Sequence, residues 1–76
     1  MNQAILLNND LTFNEQRQVW QLTGFYQSQT ITIYIPLVRL AKDSDITQGI
    51  IFELEDEIEN WLEDNEPDSN NIIELK

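Results

Sequence analysis

The sequence predicts one α+β domain: a small antiparallel sheet, made of an N-terminal strand and a hairpin, packed by a short helix and one long acidic amphipathic helix. Three observations carry that expectation. Residues 19–35 alternate apolar and polar positions with the two-residue period of a half-buried strand pair. Residues 46–65 bring Ile50, Ile51, Leu54, Ile58, Trp61 and Leu62 into an arc of about 120° at helical spacing. The length of 76 residues leaves room for a single domain, 1–76, with a thin core.

The first element is a short apolar strand over residues 3–7, closed by the turn-forming run Asn8-Asn9-Asp10. Leu11-Thr12-Phe13 reads as a second extended piece. Residues 19–27 place Trp20, Leu22, Gly24 and Tyr26 on one side and Val19, Gln21, Thr23 and Phe25 on the other. Residues 30–35 turn Ile31, Ile33 and Ile35 inward and Thr30, Thr32 and Tyr34 outward. Between them Gln27-Ser28-Gln29 serves as the hairpin loop, without the Asn-Gly or Asp-Gly pair that favours a tight turn. Pro36 removes a ladder donor, ends the strand and suits the first position of a short helix over 36–42. Asp43-Ser44-Asp45 breaks that pattern, and Asp45 with Gln48 three residues on has the spacing of a capping box for the long helix. Pro67 and Asp68-Ser69-Asn70-Asn71 stop the long helix. Residues 64–71 read as a mobile loop, and 72–75 as a short final strand or a docked tail.

Composition narrows the chemistry. The chain has no cysteine and no histidine, which excludes disulfides, thiol catalysis, cysteine-ligated zinc and histidine acid–base machinery. A net charge of −10 excludes a basic nucleic-acid-binding surface of the usual kind and argues against base stacking on Trp20 and Tyr26. No apolar run reaches the roughly 20 residues of a membrane span, and MNQAILLNND lacks the positive start and long apolar stretch of a signal peptide. The expected location is the cytoplasm, with no membrane partner. Neither glycine opens a phosphate-binding loop, and Asp64-Asn65-Glu66-Pro67-Asp68 lacks the glycine and late glutamate of an EF-hand. No catalytic residue, cofactor or metal ligand is expected, and no enzyme activity.

The charge is divided along the chain. Residues 1–42 carry Asp10 and Glu15 against Arg17, Arg39 and Lys42, whereas every charge in residues 43–76 is acidic except Lys76. Most of the acids fall on the long helix or just after it: Glu53, Glu55, Asp56, Glu57, Glu59, Glu63, Asp64 and Glu66. Like charges three or four residues apart, such as Glu53/Glu57, Glu55/Glu59, Asp56/Glu59 and Glu63/Glu66, each cost about 0.2–0.5 kcal/mol. Glu63, Asp64 and Glu66 also lie at the helix end that disfavours negative charge. A solubilising face normally interleaves lysines, and residues 46–65 contain none. Two readings follow: a solvated face that keeps a small domain soluble, or a charged binding surface. Phe52 sits about 160° from Leu54 on the helical wheel, among these acids. Either the rest of the chain covers it or it is an apolar anchor within an acidic patch.

Met1-Asn2-Gln3-Ala4-Ile5-Leu6-Leu7, then Leu11-Thr12-Phe13, then the hairpin closing on Tyr34-Ile35 and a helix opening with Phe52-Glu53, resemble the small bacterial family catalogued as domain of unknown function 1488. The resemblance covers about residues 1–65. It implies a compact α+β fold with helices on an antiparallel sheet and implies no activity, since the family has none assigned. Relative to that family, Ser28 stands where glycine is common in the hairpin loop. Ile33 stands where cysteine or another small residue is common. The acids around Glu55-Asp56-Glu57 stand where an arginine is usual early in the last helix.

The expected function is that of a non-enzymatic interaction protein. Glu53, Glu55, Asp56, Glu59, Glu63, Asp64, Glu66 and Phe52 form its partner-binding surface. A carboxylate ladder rising about 6 Å per i,i+4 step imitates a nucleic-acid backbone. It would occupy a basic groove on a nucleic-acid-binding protein, as anti-CRISPR, anti-restriction and antitoxin proteins do, without itself binding nucleic acid. The alternatives are a housekeeping module that binds a protein or forms a homodimer by edge-strand pairing, and a divalent-cation binder.

Overall fold

The structure is a computed structural model and describes residues 5–76. Part of the strand expected over residues 3–7 therefore lies outside the described residues. The elements are β1 (Leu6–Leu7), β2 (Thr12–Asn14), β3 (Val19–Tyr26), β4 (Gln29–Ile35), α1 (Gln48–Asp64) and β5 (Ile72–Glu74). They build one five-stranded sheet in the order β1-β3-β4-β5, with β2 also pairing β3, and the class is α+β.

The strand alternation reads directly into burial. Trp20, Leu22, Ile31, Ile33 and Ile35 point to one face of the sheet and are buried there. α1 lays Leu54, Ile58 and Leu62 across them, one turn apart along a single stripe. Ile73 from β5, Leu75 just after it, Leu40 from the β4–α1 connection and Ile5 just before β1 complete the core. Ile33, Ile35, Ile58 and Ile73 are each 0% exposed.

β1 and β2 are two halves of one edge strand, both antiparallel to β3. Residues 8–11 bulge out between them, and the Asp10 carboxylate fills the gap in the ladder. Its Oδ1 accepts the Thr23 backbone N–H at 2.9 Å, and its Oδ2 accepts the Thr23 hydroxyl at 2.6 Å. Asn8 closes the arrangement, donating its backbone N–H to Thr23 O at 2.9 Å and its side-chain amide to Thr23 Oγ1 at 2.7 Å. Opposite β1 the chain needs glycine. A Cβ on Gly24 would lie 3.0 Å from Leu6 O and 3.2 Å from the side chains of Ile5 and Leu7.

The β3–β4 hairpin closes through two residues, Tyr26 facing Gln29 in the register. Both loop residues take left-handed backbone, Gln27 at φ 52° and Ser28 at φ 67°. That is the geometry of a type I′ turn, whose right-handed twist matches the strands but suits Asn-Gly far better than Gln-Ser. Replacing the pair by Asn-Gly is expected to stabilise the domain by about 1 kcal/mol and raise Tm by about 4–8 °C. A melting curve checks this; an unchanged or lower Tm would mean that the loop is not held in that geometry.

Four expectations are corrected. The sheet is mixed, because β5 runs parallel to β4 with Ile33 opposite Ile73. A parallel pair needs a crossover, and α1 supplies it. The short helix over 36–42 is a turn instead: Pro36 O accepts from Arg39 N at 2.9 Å and from Leu40 N at 3.2 Å, and no helix continues. Leu40 is buried while Val38 is 87% exposed, so this segment has no stripe to dock. The Ala41 carbonyl meanwhile accepts from the Trp20 indole at 3.2 Å. α1 begins at Gln48, with Thr47 rather than Asp45 as its cap; the Thr47 hydroxyl accepts Ile50 N at 3.3 Å. Ile46 falls off the apolar stripe, so winding it into the helix would bury nothing. Finally, Trp61, which the helical arc groups with Leu54 and Ile58 as a core residue, is half-buried at the edge of the stripe and packs against the core from outside.

The last connection, expected as a mobile loop, contains a hydrogen-bonded turn. Asp68 Oδ1 accepts from Asn70 N at 2.8 Å and Ile72 N at 3.0 Å, and Asp68 N donates to Ile72 O at 3.0 Å. Asn71 takes the positive φ of 62° that brings the chain into β5.

Candidate functional site

Docking Leu54, Ile58 and Leu62 onto the sheet fixes which side of α1 faces water. Phe52, Glu53, Asp56, Asn60 and Glu63 occupy that side and are exposed. Phe52 is 58% exposed, so neither the β4–α1 connection nor the tail covers it. Asp64 is exposed at the last turn of the helix. Glu55 and Glu59 are half-buried on the flank between the outer side and the core stripe. Glu66 is exposed but off the helix, because Asn65 at φ −141°, ψ 169° ends it and turns the chain away. The Asn65 side-chain amide donates to Trp61 O at 2.9 Å, satisfying one of the carbonyls the helix end leaves open.

No acid lies in the first turn and no base in the last, so the backbone dipole finds no side-chain charge of the stabilising sign at either end. The cations of the N-terminal half are engaged elsewhere. Arg17 lies over the Tyr34 ring at 4.7 Å, and Lys42 lies over Phe13 at 5.1 Å and 3.4 Å from Glu15. Arg39 does reach α1, pairing with Glu57 and donating to Lys76 O at 2.6 Å. Glu57 is on the opposite flank from Glu55 and Glu59, so this pair leaves the outer side untouched. Among the described residues there is no group of three or more acids placed to hold a metal ion.

The sequence reading missed a shallow groove between α1 and β5, where Arg39, Glu57, Asn60, Trp61, Glu74 and Lys76 meet. Its one sequence signal is Trp61 at the margin of the apolar arc. Arg39 and Lys76 come to it through a turn and a parallel strand that carry no periodic pattern.

The fold matches the crystal structure of a protein of unknown function from the DUF1488 family of Shewanella loihica PV-4. The TM-score is 0.71, with 99% of this chain and 94% of that chain covered at 24% sequence identity. The fold is the DUF1488 fold. That agrees with the resemblance of the sequence to this family in the fold it implies. No family model matches the sequence, and no curated protein does. On this DUF1488 fold, Ser28 at φ 67° occupies a position that glycine would hold without strain. No helix among the described residues is long and apolar enough to cross a membrane.

Because Phe52 makes little use of the core, Phe52→Ala is expected to change folding stability by no more than about 0.5 kcal/mol. Urea denaturation measures it. A much larger loss would show that the ring packs against the rest of the chain.

Proposed function

We propose that this chain is a non-enzymatic, divergent DUF1488-type protein that inhibits a nucleic-acid-binding protein by presenting α1 as a charge mimic. The exposed acidic side of α1 around Phe52 is the observation that carries this reading. Glu53, Glu55, Asp56, Glu59, Glu63 and Asp64 lie on a helix of 17 residues, with Glu57 set apart by its pair with Arg39. At about 1.5 Å per residue that is one charge per roughly 4.3 Å of axis, against about 3.4 Å along one strand of a duplex. A basic groove shaped for phosphates meets a linear charge density of the same order. Glu66 adds a charge beyond the helix end, and Phe52 gives the ladder an apolar anchor that bare phosphates lack.

Like-charge crowding supports the reading. The outer side holds carboxylates against one another with no lysine between them, and a domain of this size has little stability to give away. The partner is a cationic protein surface, not nucleic acid, and the bacterial cytoplasm is where such partners work. Capture with an immobilised chain from a bacterial extract, eluted by a salt gradient, tests it. A nucleic-acid-binding protein released by moderate salt is the expected result, and nucleic acid added in excess should compete it off. A salt-resistant partner, or one indifferent to nucleic acid, would overturn the reading.

A further inference from the structure

We infer that the partner of α1 is a protein that binds single-stranded nucleic acid, and that the Phe52 ring takes the place of a stacked base in its groove. This rests on the charge-mimic reading of α1 and narrows the partner to one class.

Phe52 stands alone on its side of the helix. Its neighbours three and four residues away are Gln48, Gly49, Glu55 and Asp56, and none of them is a large apolar side chain. An ordinary protein interface gathers several apolar side chains around its anchor. Here a ring that is 58% exposed is bordered by carboxylates, so the surface has the makeup of a nucleotide: a flat apolar face beside negative charge. Gly49 is an independent sign. It is exposed in the first turn of α1, although glycine is a poor helix former. The fold does not require it there, because a Cβ would stand at an ordinary 3.7 Å from Thr47 Oγ1. Its missing side chain leaves open ground next to Phe52, on the same side of the helix, where a flat group can reach the ring.

The ring selects among basic partners. Proteins that read duplexes bind phosphates and base edges while the bases stay stacked on one another, so their grooves offer no platform for a ring. Proteins that hold single strands line a basic groove with aromatic or arginine side chains, and bases of any sequence stack there. Phe52 offers such a platform a π-face. Along the same side Asp56 follows about 6 Å on and Glu63 about 16 Å on, at about 1.5 Å per residue. Charge complementarity brings the helix to a cationic groove, and the ring decides which groove.

Elution in parallel with single strands (oligothymidine and oligouridine) and with DNA and RNA duplexes tests this on the protein that the immobilised chain retains from a bacterial extract. A single strand should release that protein at a concentration at least about tenfold lower than either duplex does. Affinity for the eluted protein is then measured with three variants, their folding checked by circular dichroism. Phe52→Trp should bind within about threefold of the wild type, since it keeps an aromatic face. Phe52→Leu, apolar but not aromatic, should lose at least about fivefold, the lower end of what one stacked base contributes. Gly49→Gln should lose as much while melting no lower than the wild type. These substitutions leave every charge in place, so they probe the ring and not the mimicry. Better competition by duplex, or wild-type binding by Phe52→Leu or Gly49→Gln, overturns the inference and leaves charge mimicry standing. A partner that no nucleic acid displaces overturns both.

Discussion

Ile58→Ala is expected to cost about 2–5 kcal/mol, which approaches the whole stability of a domain this small. Ile58 is 0% exposed at the middle of the α1 stripe, in the buried cluster that also holds Ile33 and Ile73, each also 0% exposed. The tight layer cannot collapse onto a missing side chain from either side, so the cavity persists. At about 0.05–0.15 kcal/mol per residue the wild type holds only about 4–11 kcal/mol. Urea denaturation should show a midpoint moved far toward zero or a variant unfolded in buffer. A loss below about 1 kcal/mol would mean that α1 is not seated on the sheet.

Charge removal has the second large effect, and it acts on stability and binding in opposite directions. Glu53→Gln, Asp56→Asn, Glu63→Gln and Asp64→Asn together keep the shape of exposed side chains and remove four charges. They dissolve the like-charge neighbours Glu53/Asp56, Glu53/Glu57, Asp56/Glu59 and Glu59/Glu63 and relieve the C-terminal end of the helix dipole. The gain is about 1–2 kcal/mol, or a Tm higher by several degrees. Binding to the captured partner should fall at least a hundredfold, and raising the salt on the wild type should reproduce most of that loss. A variant that melts higher and binds as before would sink the mimic and leave the acids as a solubilising coat.

Where periodicity ruled, the chain was readable. Ile31, Ile33 and Ile35 and their partners on β3 alternate cleanly because one face of the hairpin is buried, and Leu54, Ile58 and Leu62 repeat because one side of the helix is. The position of Phe52 on the helical wheel left cover and exposure both open, and the ring is 58% exposed. What escaped was settled by contacts between residues far apart in sequence. Nothing near Asp10 announces that its carboxylate will stand in for a strand at Thr23. Pro36 begins a turn rather than a helix, and past that turn the Ala41 carbonyl is held by Trp20, early in the chain. The direction of β5 depends on where α1 ends, so a three-residue strand carries no mark of being parallel. Glu66 left the ladder for the same reason: one extended cap residue redirects the chain. Arg39 finds Glu57 through that turn as well, which neither residue signals alone.

Because β5 reaches β4 only by way of α1, the helix and the C-terminal strand share one opening event. Lifting α1 uncovers Ile58 and leaves Ile73 and Leu75 without their lid, and the parallel pairs of the strand have no local turn to hold them. A partner that grips the outside of α1 thus also locks the far edge of the sheet, though it touches no strand. Amide protons there, among them that of Leu75 bonded to Tyr34 O at 3.0 Å, would exchange more slowly as the partner loads. The small domain thereby carries a reporter of occupancy at its own C-terminus.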